Sequence, residues 1–191
     1  MILKCGIIKI RCAILKKIAT INNIFNKAYS KTQIRKSSRA IIIKNDLILM
    51  IHSTKNDDFK FPGGGRKVFE SPIDNLIRET KEETGYDIIK ASIKPLGYVE
   101  ELNKASNNKN VLFKMISEYY FCDIESNHDL PLLDDYEKKL DYQAVFVSPN
   151  YALRMNESLD IKKFHWVVRE NLILKIIIRM LGDKNESINM L

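Results

Sequence analysis

Apolar and polar positions fall into blocks whose period switches between that of a strand and that of a helix. Ala40 to Lys44 and Leu47 to His52 are apolar runs separated by Asn45-Asp46, a pattern that predicts a hairpin. Phe59 to Phe61 predicts a short strand running into Pro62-Gly63-Gly64-Gly65. From Ser71 the period becomes helical. Ile73, Leu76, Ile77 and Thr80 define a buried stripe, Ser71 suits an N-cap, Pro72 the first helical position, and Asp74 a shortened capping box. Gly85 ends this helix, because a left-handed C′ residue costs glycine no steric penalty. Ile88 to Glu101 and Val111 to Ile124 then predict strands joined by a polar loop at 103–110. Asp129 to Asp141 predicts an acidic loop or short helix, Ala144 to Val147 a strand and Tyr151 to Glu157 a short helix. Phe164 to Leu181 predicts a closing helix with Gly182 at its end. This order predicts the α/β class: an α/β/α sandwich with a mixed β-sheet.

Charge divides the chain. Residues 1–45 hold 11 Lys/Arg and no acid, whereas 46–191 hold 20 Lys/Arg against 24 Asp/Glu, so the net +7 is +11 from the head and −4 from the rest. The basicity belongs to the head, and the acidic balance of the body argues against a long nucleic-acid groove. We expect a basic extension over 1–38, a folded domain over 39–181 and a polar tail over 182–191. Ile7, Ile14, Ile18, Ile21 and Phe25 suit one stripe of a helix in the head. Three readings compete there: an element packed on the domain, a membrane-surface or organelle-targeting helix, and a disordered leader or early start. Residues 1–30 carry none of the candidate chemistry and are expected to be dispensable for it. Cys5, Cys12 and Cys122 lack metal-ligand spacing and cannot all pair, which favours a reducing compartment, the cytoplasm. No apolar run approaches the length of a membrane span.

The chemistry concentrates between Gly64 and Tyr86. Glu79, Glu82 and Glu83 stand at i, i+3 and i+4 on one side of the predicted helix, where like charges repel by a few tenths of a kcal/mol per exposed pair. A hard divalent cation, Mg²⁺ or Mn²⁺, removes that repulsion because it takes oxygen ligands. By the helical period these carboxylates sit beside the buried stripe, facing a groove at the edge of the core. His52, His128 and His165 are scattered singly and make no catalytic set.

The run Gly-x5-Glu-x7-Arg-Glu-Thr-Lys-Glu-Glu-Thr-Gly-Tyr resembles the signature of the Nudix hydrolase family. Gly64, Glu70, Arg78, Glu79, Glu82, Glu83 and Gly85 match every fixed position, and Thr80 and Tyr86 replace its bulky apolar ones. The resemblance implies hydrolysis of a phosphoanhydride bond in a nucleoside diphosphate derivative or nucleoside triphosphate. It implies Glu79, Glu82, Glu83 and the backbone carbonyl near Gly63 as metal ligands, with Glu70 and Arg78 orienting them. Arg39, Lys60 and the backbone at Gly64 are candidates for the phosphates. For the general base the order is Glu79, then Glu118 and Glu100; strand alternation lets only one of Glu100 and Glu101 face the groove. The partner is a small nucleotide, and homodimerisation stays open. Leu102, Asn103 and Lys104 stand where two subgroups carry a specificity proline or tyrosine, so the substrate is not fixed. A non-hydrolytic nucleotide- or partner-binding module on the same scaffold is the alternative.

Overall fold

The computed structural model describes residues 15–24, 28–106, 108 and 110–188, with side chains as far as 182. The elements are β1 (Lys17–Asn22), β2 (Lys31–Ile41), β3 (Ile43–Lys44), β4 (Leu47–Ser53), β5 (Asp58–Lys60), α1 (Pro72–Thr84), β6 (Tyr86–Ile88), a 3₁₀ turn (Lys90–Ser92), β7 (Lys94–Lys104), β8 (Val111–Phe121), β9 (Ile124–His128), α2 (Asp135–Lys139), β10 (Tyr142–Val147), α3 (Pro149–Glu157) and α4 (Val167–Ile188). One sheet has the order β1-β7-β8-β2 and is mixed: β1 runs parallel to β7, β7 antiparallel to β8, and β8 parallel to β2. A second sheet, β10-β4-β3 with β5 also on β4, is antiparallel, and β6 pairs with β9.

Strand alternation sorts the core into two layers. Ile41, Val99 and Tyr119 of the mixed sheet, with Ile48, Met50, Phe59 and Phe61, pack against Ala152, Ile173, Leu174 and Ile177 of α3 and α4. Their neighbours Ala40, Ile42, Leu49 and Tyr120 point the other way and pack on Leu76 of α1. The result is the expected α/β/α arrangement. Asn45 and Asp46 form the β3–β4 hairpin with φ of 52° and 61°, the left-handed pair that a two-residue turn requires.

Several expectations are corrected. Ile18 and Ile21 lie on a strand instead of a helical stripe; a spacing of three would put them on opposite faces of a regular strand, and the bulge between Lys17 and Ala19 in the pairing with β7 brings both to the core. Ile7, Ile14 and Phe25 lie outside the described residues. β2 runs without a break across the expected boundary at residue 38, paired with β8 from Lys31 onward. Its first half is polar because its side chains are exposed, so no apolar alternation marks it. The strand expected over Ile88–Glu101 breaks at the 3₁₀ turn, where the Ser92 hydroxyl accepts from the Asp123 backbone. α4 begins three residues later than expected and continues through Gly182, which stands in open space, to Ile188. Cys122 is buried and unpaired, its thiol pushed up to about 12 by burial. Cys5 and Cys12 lie outside the described residues. Among the described residues no helix is long and apolar enough to cross a membrane.

Candidate active site

The local chemistry of α1 places the carboxylates. Ser71 caps the helix by accepting from the Asp74 backbone at 3.1 Å, Pro72 opens it, and Gly85 closes it at φ 75°. Segment 62–66 then runs along the outer edge of β2: Ala40 donates to the Pro62 carbonyl and Arg66 to that of Lys36. Asn75 locks the two together. Its buried amide accepts from the Ser38 backbone at 3.0 Å and donates to the Gly65 carbonyl at 3.2 Å. Gly63 has a φ of 131°, and a Cβ there would strike the Ser38 carbonyl. A Cβ on Gly64 would collide with the Glu79 carboxylate, so glycine lets the turn lie against that side chain.

Arg78 gathers three carboxylates. It holds both oxygens of Glu70 at 2.7 and 3.0 Å, Glu79 at 2.7 Å and Glu82 at 2.8 Å. Arg78 beside it holds the Glu70 carboxyl at about 2, well below the ordinary range. Glu83 is buried and accepts from the Gly63 backbone at 2.7 Å. Burial pushes its carboxyl up to about 8, against the pull of Arg39 and the Gly63 hydrogen bond.

Glu79 and Glu83 line a groove of about 470 Å³ shared with the glycine turn, Arg35, Arg39 and Lys60. Arg39 donates to the Phe61 carbonyl at 2.9 Å and leaves its buried Nε without a protein partner. Lys60 lies between the rings of Tyr142 and Trp166, 4.9 and 4.8 Å from their centroids. Its ammonium reaches the Tyr142 hydroxyl at 2.6 Å and the buried Asp58 at 3.2 Å, and burial lowers its pKa while Asp58 opposes the shift. Trp166 donates to the same Asp58 at 3.0 Å. Behind the groove, the fully buried Glu170 accepts from the Phe61 backbone, and Arg169 joins Glu170 to Glu101.

Glu118 and Glu100, ranked as bases from the sequence, project from the other face of the sheet. Glu118 pairs with Arg66 at 2.6 Å, and Glu100 with Lys17 and Lys114, both at 2.8 Å. Alternation removes them, because Arg35, Arg39 and Met115 hold the groove side. Sequence reasoning missed Glu137, which enters the groove from α2. Burial raises its carboxyl; the hydrogen bond from the Asp134 backbone opposes the shift, and the charges of Asp134, Glu79 and Glu82 add to it. Only the acidic stretch 129–141 hinted at it.

A divalent cation suits this donor set, which is all oxygen, with the charges of Glu79 and Glu137 bearing on Glu83 and those of Glu79 and Glu82 on Glu137. Among the described residues no three His, Cys, Asp or Glu side chains already converge on a point. Mg²⁺ needs no such cage, since it binds through one or two carboxylates, waters and substrate phosphates.

A family model described as the NUDIX domain matches residues 34–169. Among solved structures, a NUDIX hydrolase from Nitrosomonas europaea aligns at a TM-score of 0.50 and 15% identity, over 81% of this chain and 90% of its own. An ADP-ribose pyrophosphatase from Streptococcus suis aligns at 0.42 and 24%, over 61% and 75%. A MutT NUDIX hydrolase from Burkholderia pseudomallei aligns at 0.47 and 19%, over 62% and 85%. At 15% identity the Nitrosomonas europaea structure speaks for the fold alone. No curated protein matches the chain.

Proposed function

The chain belongs to the NUDIX family, and we propose that it hydrolyses a phosphoanhydride bond in a nucleoside diphosphate derivative or nucleoside triphosphate, with Mg²⁺ or Mn²⁺ as cofactor. The observation that carries this reading is the groove itself, lined by carboxylates from α1 and α2, by Arg35, Arg39 and Lys60 and by the glycine turn. Phosphoryl and nucleotidyl transfer ask mainly for positioning and for neutralised charge on the phosphate oxygens.

Glu79, Glu82, Glu83 and the Gly63 backbone are the groups we assign to hold the cation, which when bound supplies that neutralisation and acidifies water. Arg78, itself fixed by Glu70, orients Glu79 and Glu82. Arg39 and Lys60 take the phosphate oxygens, and the bare backbone at Gly64 lets the turn lie against Glu79 beside them. Glu79 is paired with Arg78, so the proton acceptor we assign is Glu137, which faces the groove with a carboxyl raised by burial.

A screen of nucleoside diphosphate derivatives and nucleoside triphosphates with Mg²⁺ or Mn²⁺, following released phosphate or pyrophosphate, tests the proposal. Glu82→Gln and Glu83→Gln should each lower turnover by at least ~100-fold, since an amide keeps the shape of the ligand and loses its charge. Glu137→Gln should lower kcat and leave the metal requirement unchanged. Wild-type rates in excess EDTA, or near-normal rates in both Glu82 and Glu83 variants, would sink the metal assignment.

A further inference from the structure

Two backbone N–H groups on the free edge of β5 and its continuation, those of Phe59 and Phe61, are met by side chains of different charge. Phe59 donates to the uncharged amide of Asn156. Phe61 donates at 3.2 Å to the fully buried carboxylate of Glu170. An amide would complete this edge as Asn156 does, whereas a buried carboxylate carries a heavy desolvation cost. Edge completion does not explain the charge. Neutralisation does not explain it either, because Arg169 is shared. Its guanidinium meets Glu170 from Nε at 3.1 Å and Nη2 at 2.6 Å, while Nη1 goes to Glu101. Glu101 is buried as well, on β7 level with Met115 of the groove wall. Two carboxylates on one guanidinium leave one negative charge uncompensated inside the protein.

That charge stands behind the cations of the groove. The Phe61 peptide ties it to both: its N–H meets Glu170, its carbonyl accepts from Arg39 at 2.9 Å, and Lys60 precedes it in the chain. Burial lowers the pKa of Lys60, Asp58 opposes that shift, Arg39 adds to it and Glu170 opposes it. Asp58 is divided between Lys60 and the Trp166 indole, so it does not serve Lys60 alone. Of the other charges on the groove, Arg35 adds to the positive side, Glu79 is held by Arg78, Asp134 caps α2, and Glu83 and Glu137 are given to the metal and the proton. We propose that Glu170 is a positioning residue of the phosphate subsite, and that the buried triad Glu101–Arg169–Glu170 is the counter-ion that keeps Arg39 and Lys60 a pair of cations before a phosphate arrives. This rests on the hydrolase reading above, which gives those two cations to the phosphates.

Trp166, the chain's one tryptophan, has its ring 4.8 Å from the Lys60 ammonium, so its fluorescence follows the charge of that group as pH rises. Lys60→Met should remove this step and so identify it. Glu170→Gln keeps an oxygen for the Phe61 N–H and loses the charge, so Lys60 should discharge at a lower pH than in the wild type. Glu101→Gln should move the step the same way by less, and it decides the matter if Glu170→Gln fails to fold. Inorganic pyrophosphate, titrated into the full chain by calorimetry without metal, gives a second readout. Near neutral pH, with Lys60 charged in both proteins, loss of a negative charge should leave the affinity of Glu170→Gln equal or raise it by up to ~3-fold. At the alkaline pH where only the variant has discharged, it should bind about 10-fold more weakly than the wild type. Uniform weakening at every pH, or a Trp166 step that stays in place, would overturn the proposal, since a merely structural role gives both. If no anhydride is hydrolysed while the step still moves, the hydrolase reading fails and the hold of the triad on Lys60 stands.

Discussion

Arg78 reaches Glu70, Glu79 and Glu82 at once and lines no part of the groove wall, so it acts on the substrate through other side chains. Arg78→Ala should therefore lower kcat well beyond any change in KM. A large rise in KM at constant kcat would place Arg78 on the substrate. Its bidentate partner gives a second handle. The Glu70 carboxyl is depressed from 4.5 to about 2, so its contribution to stability is complete above about 4.5 and fades as pH falls toward 2. Glu70→Gln should lower Tm by a few degrees at neutral pH, and the two melting curves should converge as the pH is lowered through that window. A constant gap down to pH ~3 would mean that the ion pair is not the cause.

At the scale of elements, buried asparagines stand in for missing strand neighbours. Asn156 of α3 accepts from the Phe59 backbone at 2.8 Å and donates to its carbonyl at 2.9 Å, completing the free edge of β5. Asn75 does the same for the junction of α1, β2 and the glycine turn. Asn75→Ala should cost about 1–3 kcal/mol in denaturant unfolding, the loss expected when buried backbone groups lose their partners. Because the turn carries Gly63 and Gly64, kcat should fall in the same variant while it remains folded. Unchanged unfolding would show that water replaces the amide. Neither asparagine announces itself in the sequence, since an amide beside an acidic residue, Asp74 or Glu157, reads as surface. Helix α1 was legible because Ser71, Pro72 and Gly85 state its ends, and the β3–β4 hairpin because Asn45-Asp46 tolerates positive φ. The polar half of β2 was not, because its evidence is a backbone ladder to residues far along the chain. Glu137 needed the fold to bring α2 over the groove.

For the whole molecule, the charge break near residue 45 and the structural limits of the domain do not coincide. β1 lies on the outer edge of β7, with Lys17 on Glu100, and the family match itself begins at residue 34. Removing residues 1–30 should lower Tm and favour association, since it uncovers the edge of β7 and the sides of Ile18 and Ile21. On nucleoside triphosphates kcat/KM should stay within a few-fold, because the carboxylates of α1 and the groove's Arg35, Arg39 and Lys60 remain. Loss of that activity in a truncated chain that stays folded would show that the head shapes the catalytic groove.

The parallel pairing of β1 with β7 and of β2 with β8 also fixes a schedule. Thr20 meets Glu100, and Ser30 meets Asn110, each 80 residues later in the chain. A ribosome adding 5–20 residues per second needs roughly 4–16 s to deliver those partners. During that interval β1 and the β8-facing edge of β2 stay bare, while the β3–β4–β5 hairpins have their local backbone partners and only the outer edge of β4 waits for β10. Pulse-labelled hydrogen exchange should accordingly protect β4 amides before those of β2. Chaperone contacts on the nascent chain should map to residues 17–41 and end once β8 has left the exit tunnel.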